Sequence, residues 1–299
     1  MTRWWSVGVR WDAAAGVPVL GWRGDRGESR ERPLLLGERL GFRAVGVRRC
    51  VGVARGGRLT RCATGAEVGA RVTRAQCEEC ARLDRARSVA ADTLADDPRP
   101  YRVYLAWFGA GMVKVGITRV DRGAARLLEQ GAVAFAWLGS GPLMAARRAE
   151  EAVRTALGVP DRVPYDRKRA VRAELPGAEV RAAQVREAYR AAVGLPGWPE
   201  SLRRTPECVV VDHGGAFGLA GLAPAAAVVT GLRAGGVVRG AVVAAAGPDL
   251  HLVDGRGAVV VLDGRLMAGW ELVRADGGAD DGEVTVPVRD VSAVQGGLF

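Results

Sequence analysis

Four of the chain's five cysteines fall between positions 50 and 80, and no other feature limits the possible folds as much. Cys77-Glu78-Glu79-Cys80 is a CxxC pair, the spacing that lets two thiolates converge from one turn. Cys50 and Cys62 precede it in a glycine- and arginine-rich stretch, with eleven residues between them. A structural Zn²⁺ site needs four ligands in a tetrahedron. If Cys50, Cys62, Cys77 and Cys80 are those ligands, the chain between the first two must fold back on itself, and the region becomes a zinc-ribbon-like knuckle. Two alternatives stand beside that expectation: a set of buried free thiols, and a CxxC redox pair. A redox pair normally follows a strand at a helix N-terminus in a thioredoxin-like unit, which the neighbouring sequence does not resemble. Cys208 lies far away in a Val-rich stretch and reads as a packed apolar residue.

With 299 residues, the chain has room for two or three cores. No stretch is apolar for long enough to cross a bilayer, and Trp4, Trp5, Arg10 and Asp12 break any signal-peptide pattern. A cytoplasmic protein without membrane contact is the expectation. The formal charge of +10 points toward an anionic partner, since clustered cations neutralise phosphates and release their counterions. Only Lys114 and Lys168 are lysines, so cations in this Ala-, Gly- and Val-rich chain are written as arginine almost throughout. Residues 1–200 hold 35 basic and 22 acidic side chains, whereas 201–299 hold 8 and 11. A partner such as DNA or RNA is therefore expected on the first two thirds.

Along the chain, Trp5 to Trp11 alternates as a strand does, and a charged loop over 24–32 precedes Leu34-Leu35-Leu36, so the opening reads as short strands. Apolar spacing predicts a helix from Thr73 to about Leu94, stopped by Asp96-Asp97-Pro98-Arg99-Pro100. Tyr101–Phe108 and Met112–Thr118 read as a β-hairpin across Gly109–Gly111. Helices are expected at 121–129, 142–157 and 178–193, a strand at 132–138, and an arginine-rich linker over 161–172. Beyond Pro196-Gly197-Trp198-Pro199, strands are expected at 208–212, 237–245, 250–253, 259–262 and 270–274, with hairpin turns at Asp254-Gly255 and Asp263-Gly264. The predicted class is α+β: a β-rich region with the cysteine cluster (1–97), a central α/β domain (98–198), a small all-β module (199–275) and a flexible tail (276–299).

The segments Tyr101-Arg102-Val103-Tyr104-Leu105 and Val113-Lys114-Val115-Gly116-Ile117-Thr118-Arg119 resemble the paired strands of the GIY-YIG nuclease superfamily. By that resemblance Tyr104 and Arg126 would surround a scissile phosphate, and Glu150 would hold a divalent ion, Mg²⁺ or Mn²⁺. Lys114 or Arg119 would hold phosphate, and Gln130 is expected beside them as a substrate-binding residue. The sequence departs from the pattern at Lys114, where a second tyrosine is common, and at Gln130, four residues after Arg126, where active nucleases often carry histidine. Glu151 beside Glu150 leaves the metal ligand ambiguous. The chain also resembles a bacterial family of uncharacterised proteins, domain of unknown function 2797, in its cysteine ribbon, Val103-Tyr104-Leu105-Ala106, Lys114 to Arg119, and Arg126 followed by Gln130-Gly131-Ala132. Arg239-Gly240-Ala241 and Ala268-Gly269-Trp270-Glu271 look like that family's C-terminal β module.

Each of these residues has a plainer role open to it: Tyr104 as a half-buried strand aromatic, Arg126 as a helix-surface cation, Gly116 as a close-packing glycine. His213 and His251 read as surface residues of the C-terminal module. Three functions follow. The first is a metal-dependent endonuclease acting on DNA or RNA through Tyr104, Arg126 and Glu150. The second is a zinc-containing nucleic-acid-binding protein that does not cut, and the third a protein-interaction scaffold.

Overall fold

The computed structural model describes residues 3–55, 58–85, 97–275 and 284–291. In chain order the elements begin with β1 (Trp4–Asp12), β2 (Val17–Gly24), β3 (Ser29–Pro33), β4 (Arg39–Val45), β5 (Val53–Arg55), β6 (Arg58–Thr60) and α1 (Glu78–Arg85). There follow β7 (Tyr101–Trp107), β8 (Val113–Arg119), α2 (Ala125–Gln130), β9 (Ala134–Gly141), α3 (Leu143–Leu157), α4 (Tyr165–Val171), α5 (Ala178–Val193), β10 (Arg203–Arg204) and β11 (Val210–Asp212). The chain closes with β12 (Ala225–Val229), β13 (Val237–Ala246), β14 (Asp249–Val253), β15 (Val259–Asp263), β16 (Glu271–Arg274) and β17 (Val288–Asp290). The class is α+β with more strand than helix, as expected.

The chain divides into two compact units, one made of Met1–Thr93 with Ala223–Phe299 and the other of Leu94–Leu222. This corrects the expected layout. The N-terminal β region and the C-terminal β module do not fold apart: they interleave in one ten-stranded sheet of order β17-β12-β15-β14-β13-β4-β16-β1-β2-β3. β4 sits between β13 and β16, pairing Phe42 with Val238 on one side and with Arg274 on the other. Both neighbours of β4 come from the C-terminal half, so the N-terminal strands alone would leave both of its edges unpaired. The second boundary shifts for the same reason. Residues 203–204 and 210–212, assigned by sequence to the β module, add to opposite ends of β9 in the other unit.

Some local expectations also change. The charged segment before Leu34 is not a loop: Ser29–Pro33 is β3, an edge strand whose five residues are all exposed, and charge on an edge discourages pairing with other chains. Asp263-Gly264 makes no hairpin, because the Asp263 side chain accepts from the Arg265 N–H and caps a short 3-10 turn. The helix expected over 73–94 begins only at Glu78, and residues 86–94 lie outside the described residues, as does most of the expected tail. The arginine-rich linker contains α4, which the sequence hides because its anchor is a lysine. Lys168, 4% exposed, points inward and donates from Nζ to the Gln130 carbonyl at 2.8 Å.

In the Leu94–Leu222 unit, β10-β9-β7-β8 form an antiparallel sheet. The β7–β8 hairpin has an unbroken register from Tyr101↔Arg119 to Trp107↔Val113. Side chains alternate across a strand, so Tyr104, Ala106, Lys114 and Gly116 share one face, while Tyr101, Val103, Val115 and Arg119 share the other. The first face carries a core of Tyr104, Ala106, Phe108, Leu127, Phe135 and Val163. On the opposite face the Trp107 indole donates to Gln184 on α5 at 2.8 Å.

Candidate functional site

The four expected cysteines converge. Their Sγ atoms all lie within 4.8 Å of one another, and Cys62 and Cys77 are 3.8 Å apart. Four thiolates at the usual Zn–S distance of about 2.3 Å would be separated by about 3.8 Å. Folding brings them there in two halves. Between Cys50 and Cys62 the chain turns back through the β5–β6 hairpin, where Val53 pairs with Thr60. Gly52 permits the bend: its φ is +89°, and a Cβ there would lie 1.9 Å from the Thr60 carbonyl oxygen. Cys77 and Cys80 come from the entry to α1. The Cys50 sulfur accepts backbone N–H bonds from Cys77 at 3.2 Å and Gly52 at 3.4 Å, the kind of support a thiolate ligand requires. Burial pushes the Cys50 thiol up, whereas hydrogen bonding from Thr64 draws Cys62 down to about 6. The donor set can hold one metal ion such as zinc. Cys208 is half-buried and stands apart from the cluster.

A second constellation forms in the other unit. Tyr104 on β7, 1% exposed, lays its ring across Gly116 on β8, its register partner. A Cβ on residue 116 would lie 2.4 Å from the Tyr104 hydroxyl, so the glycine is required by this packing. Gln130, the last residue of α2, donates from Nε2 to the Tyr104 hydroxyl at 2.8 Å. Arg126, one turn earlier on α2, is 46% exposed and stands 3.9 Å from Glu129. Lys114 is half-buried and donates to the Asp161 carbonyl at 3.0 Å. Glu150 on α3 is half-buried, while its neighbour Glu151 is exposed and committed to Arg154.

Charge connects these groups. Burial raises the Tyr104 phenol, opposed by Gln130 and Arg126. Burial and then Arg126 lower the Lys114 ammonium, while Glu150 and Asp161 support it. Burial raises the Glu150 carboxyl, with Lys114 and Arg147 opposing. Tyr104, Lys114, Arg126, Gln130 and Glu150, carried on β7, β8, α2 and α3, are thus linked by one hydrogen bond and by electrostatic influence. Arg119 does not join them. It is five residues beyond Lys114, on the opposite face of β8, and paired with Asp121 at 3.0 Å.

Sequence reasoning missed Lys168, whose ammonium lies 3.8 Å from the centre of the Phe108 ring and whose bond to the Gln130 carbonyl fixes the residue that grips Tyr104. The signal was present: in a chain that uses arginine almost everywhere, the only two lysines both bear on this site. A slender ammonium fits over a buried ring where a planar guanidinium would demand more donors' worth of partners. His213 is also corrected. It is 7% exposed, belongs to this unit, and its Nδ1 lies 2.9 Å from the Ala132 carbonyl. His251 is likewise buried.

Fold and site together define a strand-rich α+β protein with a four-thiol knuckle able to hold a metal ion, and none of its described helices is long and apolar enough to cross a membrane. The chain belongs to the family described as Protein of unknown function (DUF2797), whose profile matches residues 37–272. Comparisons with curated proteins and with solved structures give no match.

Proposed function

We propose that the Leu94–Leu222 unit is a divergent GIY-YIG-type domain that engages the phosphodiester backbone of DNA or RNA and cleaves it with a divalent ion, Mg²⁺ or Mn²⁺, at Glu150. What supports this reading is that Tyr104, Lys114, Arg126 and Glu150, on four separate elements, influence one another electrostatically around the 2.8 Å bond from Gln130 to the Tyr104 hydroxyl. A lone carboxylate suits Mg²⁺, which keeps several waters and shares its shell with substrate phosphate. Bound there, the ion would polarise a phosphoryl oxygen and an attacking water. Arg126, exposed at the rim, and Lys114 meet the phosphate charge. Tyr104 stays protonated at neutral pH because burial raises its phenol, so it serves as a hydrogen-bonding group rather than a base. In the reaction the water oxygen bonds to phosphorus, the ester P–O bond breaks, a water proton passes to solvent, and the leaving oxygen is protonated from solvent. Cys50, Cys62, Cys77 and Cys80 hold a structural Zn²⁺ in the other unit.

A second reading, nucleic-acid binding without cleavage, is favoured by one specific fact: Tyr104 is almost fully buried and its hydroxyl already accepts from Gln130. The two separate in one experiment. Purified chain is incubated with single-stranded, duplex and branched DNA and RNA plus Mg²⁺ or Mn²⁺, beside Glu150→Ala and Arg126→Gln. Cleavage by the wild type that falls by about 10²-fold or more in both variants supports the enzyme. Salt-sensitive binding without cleavage supports the second reading, and cleavage undiminished in both variants sinks the site.

A further inference from the structure

Arg102 stands two residues before Tyr104 on β7, and side chains alternate along a strand, so both lie on one face of the sheet. Trp137 on β9 is the register partner of Tyr104 and shares that face. The ring contacts agree. The Trp137 ring centre lies 6.2 Å from that of Tyr104 and 5.1 Å from that of Phe135, with planes turned by 84° and 78°. The Arg102 guanidinium carbon sits 4.9 Å from the centre of the Trp137 ring, inside the roughly 6 Å over which an aromatic face holds a cation. Two near-perpendicular neighbours thus fix the indole, and the indole holds the guanidinium. Both groups are half-buried, and both keep their polar atoms uncommitted. Among the described residues the Arg102 guanidinium, with five N–H donors, makes no ion pair or hydrogen bond. The indoles of Trp11, Trp107 and Trp198 each donate to an acceptor, whereas that of Trp137 has none among the described residues. The charge of Arg126 is felt at the neighbouring Tyr104 phenol, which it lowers.

We infer that Arg102, backed by Trp137, stacks on an unpaired nucleobase beside the phosphate met by Tyr104 and Arg126, so that the substrate class of this site is single-stranded or splayed nucleic acid. The inference rests on the phosphodiester reading of that site and adds what phosphate contacts alone do not give, a preference for strands with a free base. Unstacked bases are held on aromatic rings and on arginine planes. A guanidinium with an indole behind it has its other face to offer, and its N–H groups lie in the same plane as the base edge they would meet. Such stacking tolerates any sequence, because every base has a π face. In a duplex the bases already stack on one another and gain nothing from the pair.

The test is fluorescence anisotropy on the full chain supplied with Zn²⁺, without Mg²⁺ or Mn²⁺ so that nothing is cut, across a series of salt concentrations. Three labelled probes are compared: a thymidine oligomer, the same oligomer paired to its complement, and an abasic strand of equal length that keeps the phosphates and lacks the bases. The wild type should bind the thymidine strand roughly tenfold more tightly than either of the others. Arg102→Lys is the informative variant, because it keeps the charge and removes the plane. It should bring the thymidine strand down to the abasic level with the salt slope unchanged, since no phosphate contact is lost. Trp137→Ala should do the same, and Trp137→Phe, which restores a ring, should recover most of the preference. Arg126→Gln should weaken all three probes alike and make the salt slope shallower. A preference retained in Arg102→Lys, or equal binding of thymidine and abasic strands by the wild type, would overturn the stacking pair while leaving the phosphodiester reading standing. Wild-type affinity for every probe in Arg126→Gln, beside a lost preference in Arg102→Lys, would overturn the phosphate site and leave the stacking pair. Binding of none of the probes would overturn both.

Discussion

Gly116 and Tyr104 illustrate how far a single residue can be read from sequence. A glycine in the middle of an alternating strand signals a close approach, and the structure supplies the neighbour, the Tyr104 ring. What the sequence could not supply was depth. An isolated tyrosine at a strand position fits a half-buried aromatic as well as a fully buried one, and only α2, docked through Gln130 and Lys168, takes Tyr104 out of water. His213 was misjudged for the same reason. It follows β11, and its burial comes from Phe135 and Phe217, whose rings lie 5.2 and 5.3 Å from its own. Burial lowers its pKa, more than the Ala132 carbonyl raises it. The folded state therefore favours the neutral ring, and the unfolded chain binds the extra proton. Stability from this group is present above the unfolded pKa of about 6.5 and is lost as pH falls through that value toward the lower folded one. Urea midpoints measured from pH 8 to 5 should decline more steeply for the wild type than for His213→Asn. Parallel curves would show that His213 carries no part of the acid sensitivity.

At the scale of elements, long periodic segments were legible and short ones were not. The helix over 178–193 and the strand near 237–245 agree with α5 and β13 nearly to the residue, because each has enough turns or pleats to define its own pattern. β5, β6, β10 and β17 have two or three residues each and exist only because a partner strand is present. The cysteine knuckle is the extreme case. It consists of two three-residue strands and α1, which has eight residues, far short of the roughly 12–15 residues at which an isolated helix becomes even marginal in water. Its apolar cluster is built largely from the thiols themselves, with Val53, Val68 and Leu83 around them. A unit this small that held a metal ion would depend on it for folding. Elemental analysis should find one zinc per chain, and chelation should strip amide protection from residues 49–85. Cys80→Ser should lower the zinc content sharply, while Cys208→Ser should leave it unchanged. Full zinc in Cys80→Ser, or full protection in the chelated protein, would remove the metal from the fold.

For the whole molecule, the sequence reading divided three textures where the chain builds two bodies. Composition changes at the right places, but it cannot reveal that strands separated by more than 130 residues share a sheet, because register is a property of pairs. The pairing is specified nonetheless. Arg48, 2% exposed, donates from Nε to the Ala268 carbonyl at 2.8 Å and from Nη2 to the Arg265 carbonyl at 3.0 Å, and the Arg49 N–H bonds to Gly269 at 2.8 Å. Gly269 in turn donates to Ser6 at 2.8 Å, and its φ of +86° with the Arg49 carbonyl pressed against it leaves no room for a side chain. The two residues before Cys50 are thus fastened to the C-terminal half, so the knuckle needs residues from both ends of the chain. The Leu94–Leu222 unit, inserted between those halves, closes its own sheet from β7 to β11. A chain ending at Leu222 should therefore keep amide protection in β7, β9 and α5 at the level of the full chain. It should lose protection in β1, β2 and β4, where β13 and β16 are missing, and it should bind zinc more weakly because Arg48 and Arg49 have lost their anchors. Hydrogen exchange read by mass spectrometry decides the matter. Native protection of residues 4–45 in the truncated chain would mean that the N-terminal strands form a sheet without the C-terminal half, and the expected separate β-rich region would be restored.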